Sequence, residues 1–339
     1  MGRKLLVTGG AGFIGSNFTR YILKQHDDID VVVLDKLTYA GNLDNLKEVE
    51  DNPRYRFVRG DICDEKIVEE TMKDCDWVIN FAAETHVDRS IGDPASFIMT
   101  DVYGTYVLLE ATRKLDIPRF IQISTDEVYG DAGGEPSAED SPLMPQSPYA
   151  ASKAGADRLA YSYYVTYGTP VVITRCSNNY GPNQYPEKMI SLFITNAVDD
   201  KPLPVYGTGE NTRDWIHALD HAKALELIMN TGGLEGEVLN IGSGTELSVL
   251  QVADRILEAV GKPHSLIKRV KDRPGHVRRH AVRTDKIEST LGWKAEIDFE
   301  EGLRTTVEWY VENRWWWEKI KSGEFKEYYR KMYAELHGK

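Results

Sequence analysis

Gly9-Gly10-Ala11-Gly12-Phe13-Ile14-Gly15 stands directly behind the apolar run Lys4–Val7 and in front of the amphipathic stretch Ile14–Lys24. The run reads as a strand and the stretch as a helix, so the glycines at 9, 12 and 15 occupy a strand-to-helix turn. Glycine is needed there because the turn is tight and because a pyrophosphate must approach the backbone N–H groups closely. The N-terminus of the following helix adds partial positive charge. G-x-x-G-x-x-G in this setting is a variant of the dinucleotide-binding fingerprint. Asp35, twenty residues beyond Gly15 at the end of the next apolar run, can accept hydrogen bonds from both ribose hydroxyls and repels a 2′-phosphate, which favours NAD over NADP.

Outward from this turn the first half of the chain alternates short β-branched runs with helical stretches. Lys4–Val7, Val31–Leu34, Tyr55–Val58, Trp77–Phe81, Phe120–Ser124 and Val171–Thr174 read as strands. Helices are expected at Ile14–Lys24, Ile67–Lys73, Ala95–Leu115 and Tyr149–Tyr167, the last two opened by Pro94 and Pro148. Such alternation means a parallel sheet with helices on both faces. The expected fold class is therefore α/β, a Rossmann-type doubly wound parallel sheet with a smaller mixed α/β C-terminal substrate domain. Residues 1–175 form the NAD-binding part, segments near 213–242 return to it, and 176–339 are mainly the substrate part. Beyond about residue 175, Pro182, Pro186, Pro202 and Pro204 break the regularity. Helices are expected again at Ser248–Val260, with Ser248 as cap, and at Phe299–Asn313.

The bulk numbers exclude several classes. Against 41 Lys and Arg stand 53 Asp and Glu, a formal charge of −12, which argues against a nucleic-acid backbone as partner. No apolar run approaches membrane-span length, and the run behind Met1 is too short for a signal peptide. Cys63, Cys75 and Cys176 are odd in number and lack metal-ligand spacing, so reduced thiols in a cytoplasmic protein are expected. His217 and His221 are four apart on an expected helix, a zinc-compatible spacing, but core packing is the better reading and no metal is expected. Trp315-Trp316-Trp317 reads as packing of the C-terminus.

Ser124-Thr125-Asp126-Glu127-Val128-Tyr129-Gly130 follows the fifth strand, where open parallel sheets present their ligand site. On the next helix Tyr149 and Lys153 are four apart and share a face. A free phenol, with a pKa of about 10, is a poor base. The Lys153 ammonium and the nicotinamide charge are expected to lower that value, so that Tyr149 takes a hydroxyl proton while hydride leaves for NAD. Asp61-Ile62, ending the third strand, are suited to the adenine amine and ring.

These stretches, with Leu34–Asn42, Phe81–Ser90, Ser147–Lys153, Arg175–Pro182 and Pro186-Glu187-Lys188, resemble the extended short-chain dehydrogenase/reductase family. Within it they resemble most the dTDP-glucose 4,6-dehydratases, nearly end to end. The most specific element is Asp126-Glu127, which the sugar epimerases of the same family lack. The resemblance implies a 4-keto-6-deoxy sugar nucleotide as product: C4 is oxidised, water is lost across C5 and C6, and hydride returns to C6. Glu127 would be the C5 base, Asp126 the acid for the C6 hydroxyl, and Thr125 a partner of the C4 oxygen. One acid must be ionised and the other protonated. NAD would be held by Gly9, Gly12, Phe13, Ile14, Gly15, Asp35, Lys36, Leu37, Thr38, Asp61, Ile62, Ala82, Ala83, Thr100, Tyr149, Lys153 and Asn179. The substrate would meet Glu84, His86, Thr125, Asn178, Glu187, Lys188, Pro204, Tyr206, Arg213, Asn240, Arg273 and His276. Arg213 lies in Thr212-Arg213-Asp214-Trp215, read as the opening of a helix.

One stretch departs from the pattern. Pro274-Gly275-His276-Val277 is followed by Arg278-Arg279-His280, where the family commonly has Pro-Gly-His-Asp and then an aromatic residue. This leaves the nucleotide open, with UDP- or CDP-hexose dehydration or 4-epimerisation as alternatives. A non-catalytic NAD-sensing module is the alternative of another class, but it has no need of Tyr149, Lys153 and both acids together. The resemblance also implies a homodimer joined through the helices at 95–115 and 149–167.

Overall fold

A computed structural model describes residues 2–333; residues 334–339, the end of the expected substrate part, lie outside the described residues. Strands are numbered in chain order. Arg3–Thr8 (β1), Ile29–Asp35 (β2), Tyr55–Arg59 (β3), Trp77–Asn80 (β4), Arg119–Thr125 (β5), Val171–Cys176 (β6) and Val238–Ile241 (β10) form one sheet. Their order is β10-β6-β5-β4-β1-β2-β3, and every pairing is parallel. The order reverses between β4 and β1, so the glycine turn after β1 opens at the crevice where ligands of such sheets bind.

The inner strands are largely apolar because both faces are covered, whereas the edge strand β3, Tyr55–Arg59, carries two arginines and is only partly buried. Leu5, Val7, Val31 and Val33 enter the core on one side, and Leu6, Val32 and Leu34 the core on the other. The helices Phe13–Gln25 and Ala218–Asn230 pack together on the first side. Helix Pro148–Tyr167 begins with Ser147 accepting from the Ala150 N–H at 3.1 Å and ends at Gly168, whose φ of 69° is free of strain only for glycine.

The second lobe holds a small sheet of β7 (Asn178–Tyr180), β9 (Thr212–His217), β11 (Glu246–Ser248) and β13 (Arg279–His280). Beside it lies the pair β8 (Leu203–Tyr206) and β12 (Ile267–Val270). Helix Val249–Val260 starts at Ser248 with a reciprocal cap to Gln251. Trp316 and Trp317 are buried in this lobe's core, whereas Trp315 is half exposed. The C-terminal helices Arg314–Ser322 and Glu324–Met332 reach back to the first lobe. Trp316 Nε1 donates to Asn45 Oδ1 at 2.9 Å, and Lys319 pairs with Asp44 at 2.7 Å.

Two expectations need correction. The stretch expected as helix Ala95–Leu115 is helical but irregular, with α-turns at Pro94–Phe97 and Gly104–Lys114 and π-turns over Ile98–Tyr103. A π-turn inserts an extra residue and so re-aims the side chains around it. Here it leaves Thr100 in the ligand cleft and Asp101 buried. Thr212–His217 is a strand, not a helix opening: it pairs with β7, β11 and β13, and the helix begins at Ala218. His217 therefore caps that helix, accepting from the Leu219 N–H at 3.2 Å. No helix of the described residues is long and apolar enough to cross a membrane.

Candidate active site

The cleft at the sheet's carboxyl edge begins at the glycine turn. A Cβ on Gly9 would lie 2.6 Å from the Ala82 nitrogen, and one on Gly15 would lie 2.6 Å from the Gly9 oxygen. A Cβ on Gly12 would meet only the Gly9 oxygen, at 3.2 Å. The third glycine thus closes the turn on itself, the first lets it pack against the chain leaving β4, and the second leaves the backbone open towards the cleft. Asp35 accepts from the Leu37 N–H at 2.8 Å through one oxygen and from the Ala11 N–H at 3.0 Å through the other. Each carboxylate oxygen has a second lone pair for a ribose hydroxyl. Leu37 itself does not line the cleft; its backbone, at φ 58°, bends the chain around Asp35. Lys36 and Asp61 pair at 2.6 Å in the same cleft, which holds the Asp61 carboxyl below its ordinary range.

Gly12, Phe13, Ile14, Thr38, Ile62, Ala82, Ala83, Thr100 and Asn179 also line this cleft, as do Glu84, Asn178, Glu187 and Lys188. The residues present fit NAD: a cradle closed by glycine, an acid at the ribose, and buried polar atoms with no hydrogen-bond partner. Ser124 Oγ and Asn178 Oδ1 are such atoms. The sequence placed Ser124 at the site-facing end of the fifth strand but gave it no role of its own.

At the inner end Thr125, Asp126, Glu127, Tyr149 and Lys153 share one wall. Thr125 Oγ1 donates to Asp126 Oδ1 at 3.1 Å and accepts from the Glu127 N–H at 3.2 Å, which fixes the turn that follows β5. Asp126 is buried and its other oxygen has no partner. Burial, and then the Glu127 and Asp214 carboxylates, push Asp126 well above the ordinary carboxyl range. The two acids are unequally buried, Asp126 wholly and Glu127 in part, and Asp126 is the one suited to give a proton. Lys153 Nζ donates to the Ile123 carbonyl at 2.6 Å, and burial lowers its pKa.

Tyr149 departs from expectation. Burial pushes its phenol well above 10, and Glu127, Cys176, Asp101 and Asp126 add to the shift. Lys153 does not offset them in the protein alone. Asp101, also missed in the sequence, sits beneath this wall. It accepts from Ser152 Oγ at 2.5 Å and from the Glu84 N–H at 2.8 Å, and burial raises it to about 7.

The remaining residues form a second group beside the cleft. Arg273 Nη1 reaches Asp88 at 3.3 Å, and Tyr206 donates to the same carboxylate at 3.2 Å. Arg213 Nη2 donates to the Val277 carbonyl at 3.1 Å, so the position that departs from the family pattern serves through its backbone. His276 is held by Asp272 at 2.6 Å, and Pro204 lies in β8. Lys188 donates to Thr85 at 3.0 Å and feels both Glu127 and Arg273, which links this basic cluster to the cleft. His86 is buried at a φ of 81°, with the Tyr328 hydroxyl 3.5 Å from Nδ1. Arg89 pairs with Glu187 at 2.9 Å and lies over the rings of Tyr39 and Tyr328.

Asn240 is a correction. It is fully buried, donates to the Ser137 carbonyl at 3.0 Å and accepts from Tyr129 at 2.8 Å. Its amide is consumed within the core, which takes it out of the substrate set.

His221 is likewise a core residue, with Nδ1 2.9 Å from Asn179 Oδ1 and Nε2 without a partner. Burial lowers its pKa to about 3 and that of His217 to about 4. A histidine held neutral in the fold binds its proton in the unfolded chain first. Its stabilisation is complete above pH ~6.5 and is lost as pH falls towards the folded value, at about 1.4 kcal/mol per pH unit for each such group. The expected outcome is a urea midpoint that falls between pH 7 and pH 5, less steeply in His221→Gln. Equal slopes in the two proteins would remove His221 from that account.

The chain matches, over residues 6–306, the model of the family described as GDP-mannose 4,6-dehydratase. It is 51% identical to a dTDP-glucose 4,6-dehydratase of Streptomyces niveus, covering 94% of this chain and 96% of that one. It is 52% identical to the low-salt glycan biosynthesis protein Agl12 of Haloferax volcanii, covering 91% and 98%. Among solved structures, DesIV of Streptomyces venezuelae, a dTDP-glucose 4,6-dehydratase with NAD and TYD bound, superposes with a TM-score of 0.91. It shares 47% identity, with 94% of this chain and 100% of that one covered.

Proposed function

The chain belongs to the GDP-mannose 4,6-dehydratase family, and we propose that it converts dTDP-glucose to dTDP-4-keto-6-deoxyglucose and water. The observation that carries this reading is the unequal acid pair Asp126 and Glu127 on one wall with Tyr149 and Lys153. When bound, NAD supplies the acceptor for the C4 hydride, its return to C6, and a cationic ring that opposes the carboxylates' effect on Tyr149. Tyr149 takes the proton of the C4 hydroxyl, and Lys153 is the cation of the same helix face. Thr125 turns its single hydroxyl proton from Asp126 to the C4 oxygen. The C4 ketone acidifies C5, and Glu127 removes the C5 proton. Asp126, held protonated by burial, gives its proton to the C6 oxygen, which leaves as water. A proton returned to C5 completes the product.

Gly9, Gly12, Gly15, Asp35, Lys36, Thr38 and Asp61 hold the dinucleotide in this reading. Arg213, Arg273, His276 and Lys188 meet the diphosphate, whose two charges suit arginine. A homodimer is part of the same reading. Met99, Tyr103, Tyr106, Tyr161, Val165 and Tyr167 are exposed on the two helical stretches 94–114 and 148–167, which pack on each other. Such a face suits a second copy; a monomer in sedimentation equilibrium would remove this point. The free thiols Cys63, Cys75 and Cys176 suit the cytoplasm.

The test is incubation of the pure protein with dTDP-glucose, UDP-glucose and CDP-glucose, read by mass. Loss of one water from dTDP-glucose is the expected result. Isomerised hexose without loss of water would replace this reading by 4-epimerisation.

A further inference from the structure

We propose that His280 is a ligand of the substrate's diphosphate and takes up one proton from solvent as that anion binds. The proposal rests on the reading of dTDP-glucose as substrate and adds a coupling of its affinity to pH. His280 lies in β13, in register with Arg213 of the parallel neighbour β9, so the two side chains leave the sheet on the same face. The ring is buried, and neither Nδ1 nor Nε2 has a hydrogen-bond partner. Arg273 Nε, in the adjoining loop, is also buried without one. Buried polar groups are ordinarily paired, so three unpaired nitrogens beside one arginine mark a place completed by a ligand with acceptor oxygens.

The charges around His280 set the direction of the coupling. Arg213 on β9, and Arg273 and His276 on the loop before β13, face the ring, and with burial they hold it neutral. The acids nearby are engaged elsewhere. Asp88 holds Arg273 and Tyr206, Asp272 holds His276, and Asp131 accepts from the Arg278 N–H. Glu246 pairs with Arg279, the next residue along the strand and so on the opposite face. Glu127 and Asp126 act on Arg213. A diphosphate brings two negative charges into this set and reverses the sign of the field at the ring. The neutral imidazole donates one N–H, whereas the protonated one donates two, so the bound anion selects the charged form. The proton comes from solvent on binding and returns when the nucleotide leaves.

The test uses NAD-loaded protein carrying Tyr149→Phe, which holds dTDP-glucose without turnover. Calorimetric titration near pH 7 in buffers of different ionisation heat counts the protons taken up per binding event. The expected result is about half to one proton and a Kd that weakens on the order of ten-fold from pH 6 to pH 8. Adding His280→Phe or His280→Gln abolishes the uptake and flattens the pH dependence. Gln, which keeps one donor, binds more tightly than Phe, and it also serves should Phe disturb folding. His276→Gln retains the uptake. No uptake in the parent, undiminished uptake in the His280 variants, or loss of uptake in His276→Gln instead would overturn the proposal. Failure to bind dTDP-glucose while another nucleotide sugar binds would overturn the substrate reading alone. The same titration with that sugar would then judge His280.

Discussion

Tyr149→Phe lowers turnover of dTDP-glucose about a thousand-fold or more, while protein-bound NAD stays at the wild-type level. The size follows from the role: a positioned general base contributes roughly a hundred- to ten-thousand-fold, and phenylalanine has no oxygen to take the C4 proton. Without that first step nothing downstream can occur, because the C5 proton is not acidic until C4 is a ketone. Retention of NAD follows from where the ring sits. Its edge packs against Phe97 at a centroid distance of 6.2 Å, a contact that phenylalanine keeps. The glycine cradle and Asp35 hold the other end of the cofactor independently. Turnover is read by product mass, and bound NAD by its absorbance after denaturation. Near-normal turnover would remove Tyr149 from the mechanism.

Glu127→Gln is expected to halt the reaction one step later. Glutamine keeps the size of the side chain but cannot accept a proton, so C4 is oxidised while C5 keeps its hydrogen. Product formation should fall about a hundred- to ten-thousand-fold. Reduced cofactor accumulates on the protein, visible in the near ultraviolet, and C5 takes up no deuterium from heavy water. Asp126 cannot substitute as the base, because burial and its neighbours keep it protonated. Dehydration at the wild-type rate would mean that the base is some other group.

The large sheet was legible because its inner strands are buried on both faces and so carry largely apolar runs, bounded by turns. The glycine turn, Asp35 and the Tyr149–Lys153 pair were legible because each depends on local spacing. What failed depends on distant pairing. Thr212–His217 is a strand only because of partners two to three residues long, too short to leave a pattern of their own. Asn240 read as a ligand because its own partners, Tyr129 and Ser137, lie more than a hundred residues earlier. The π-turn at 98–103 adds a residue without breaking the helical run, so Asp101 gave no signal. The Tyr149 shift was missed for a different reason. The helix spacing that joins it to Lys153 carries no information about the carboxylates that Asp101, Asp126 and Glu127 bring to the same wall.

The bond from Trp316 to Asn45 spans 271 residues, and Arg89 meets Tyr328 across nearly as many. A ribosome completes the glycine turn at 9–15 before β2, yet the helices that brace the loop after β2 lie far along the chain, Trp316 being 271 residues beyond Asn45. During synthesis the dinucleotide fingerprint therefore exists long before the cleft that uses it. The nascent chain must reach Arg314–Ser322 and Glu324–Met332 before the cleft is whole.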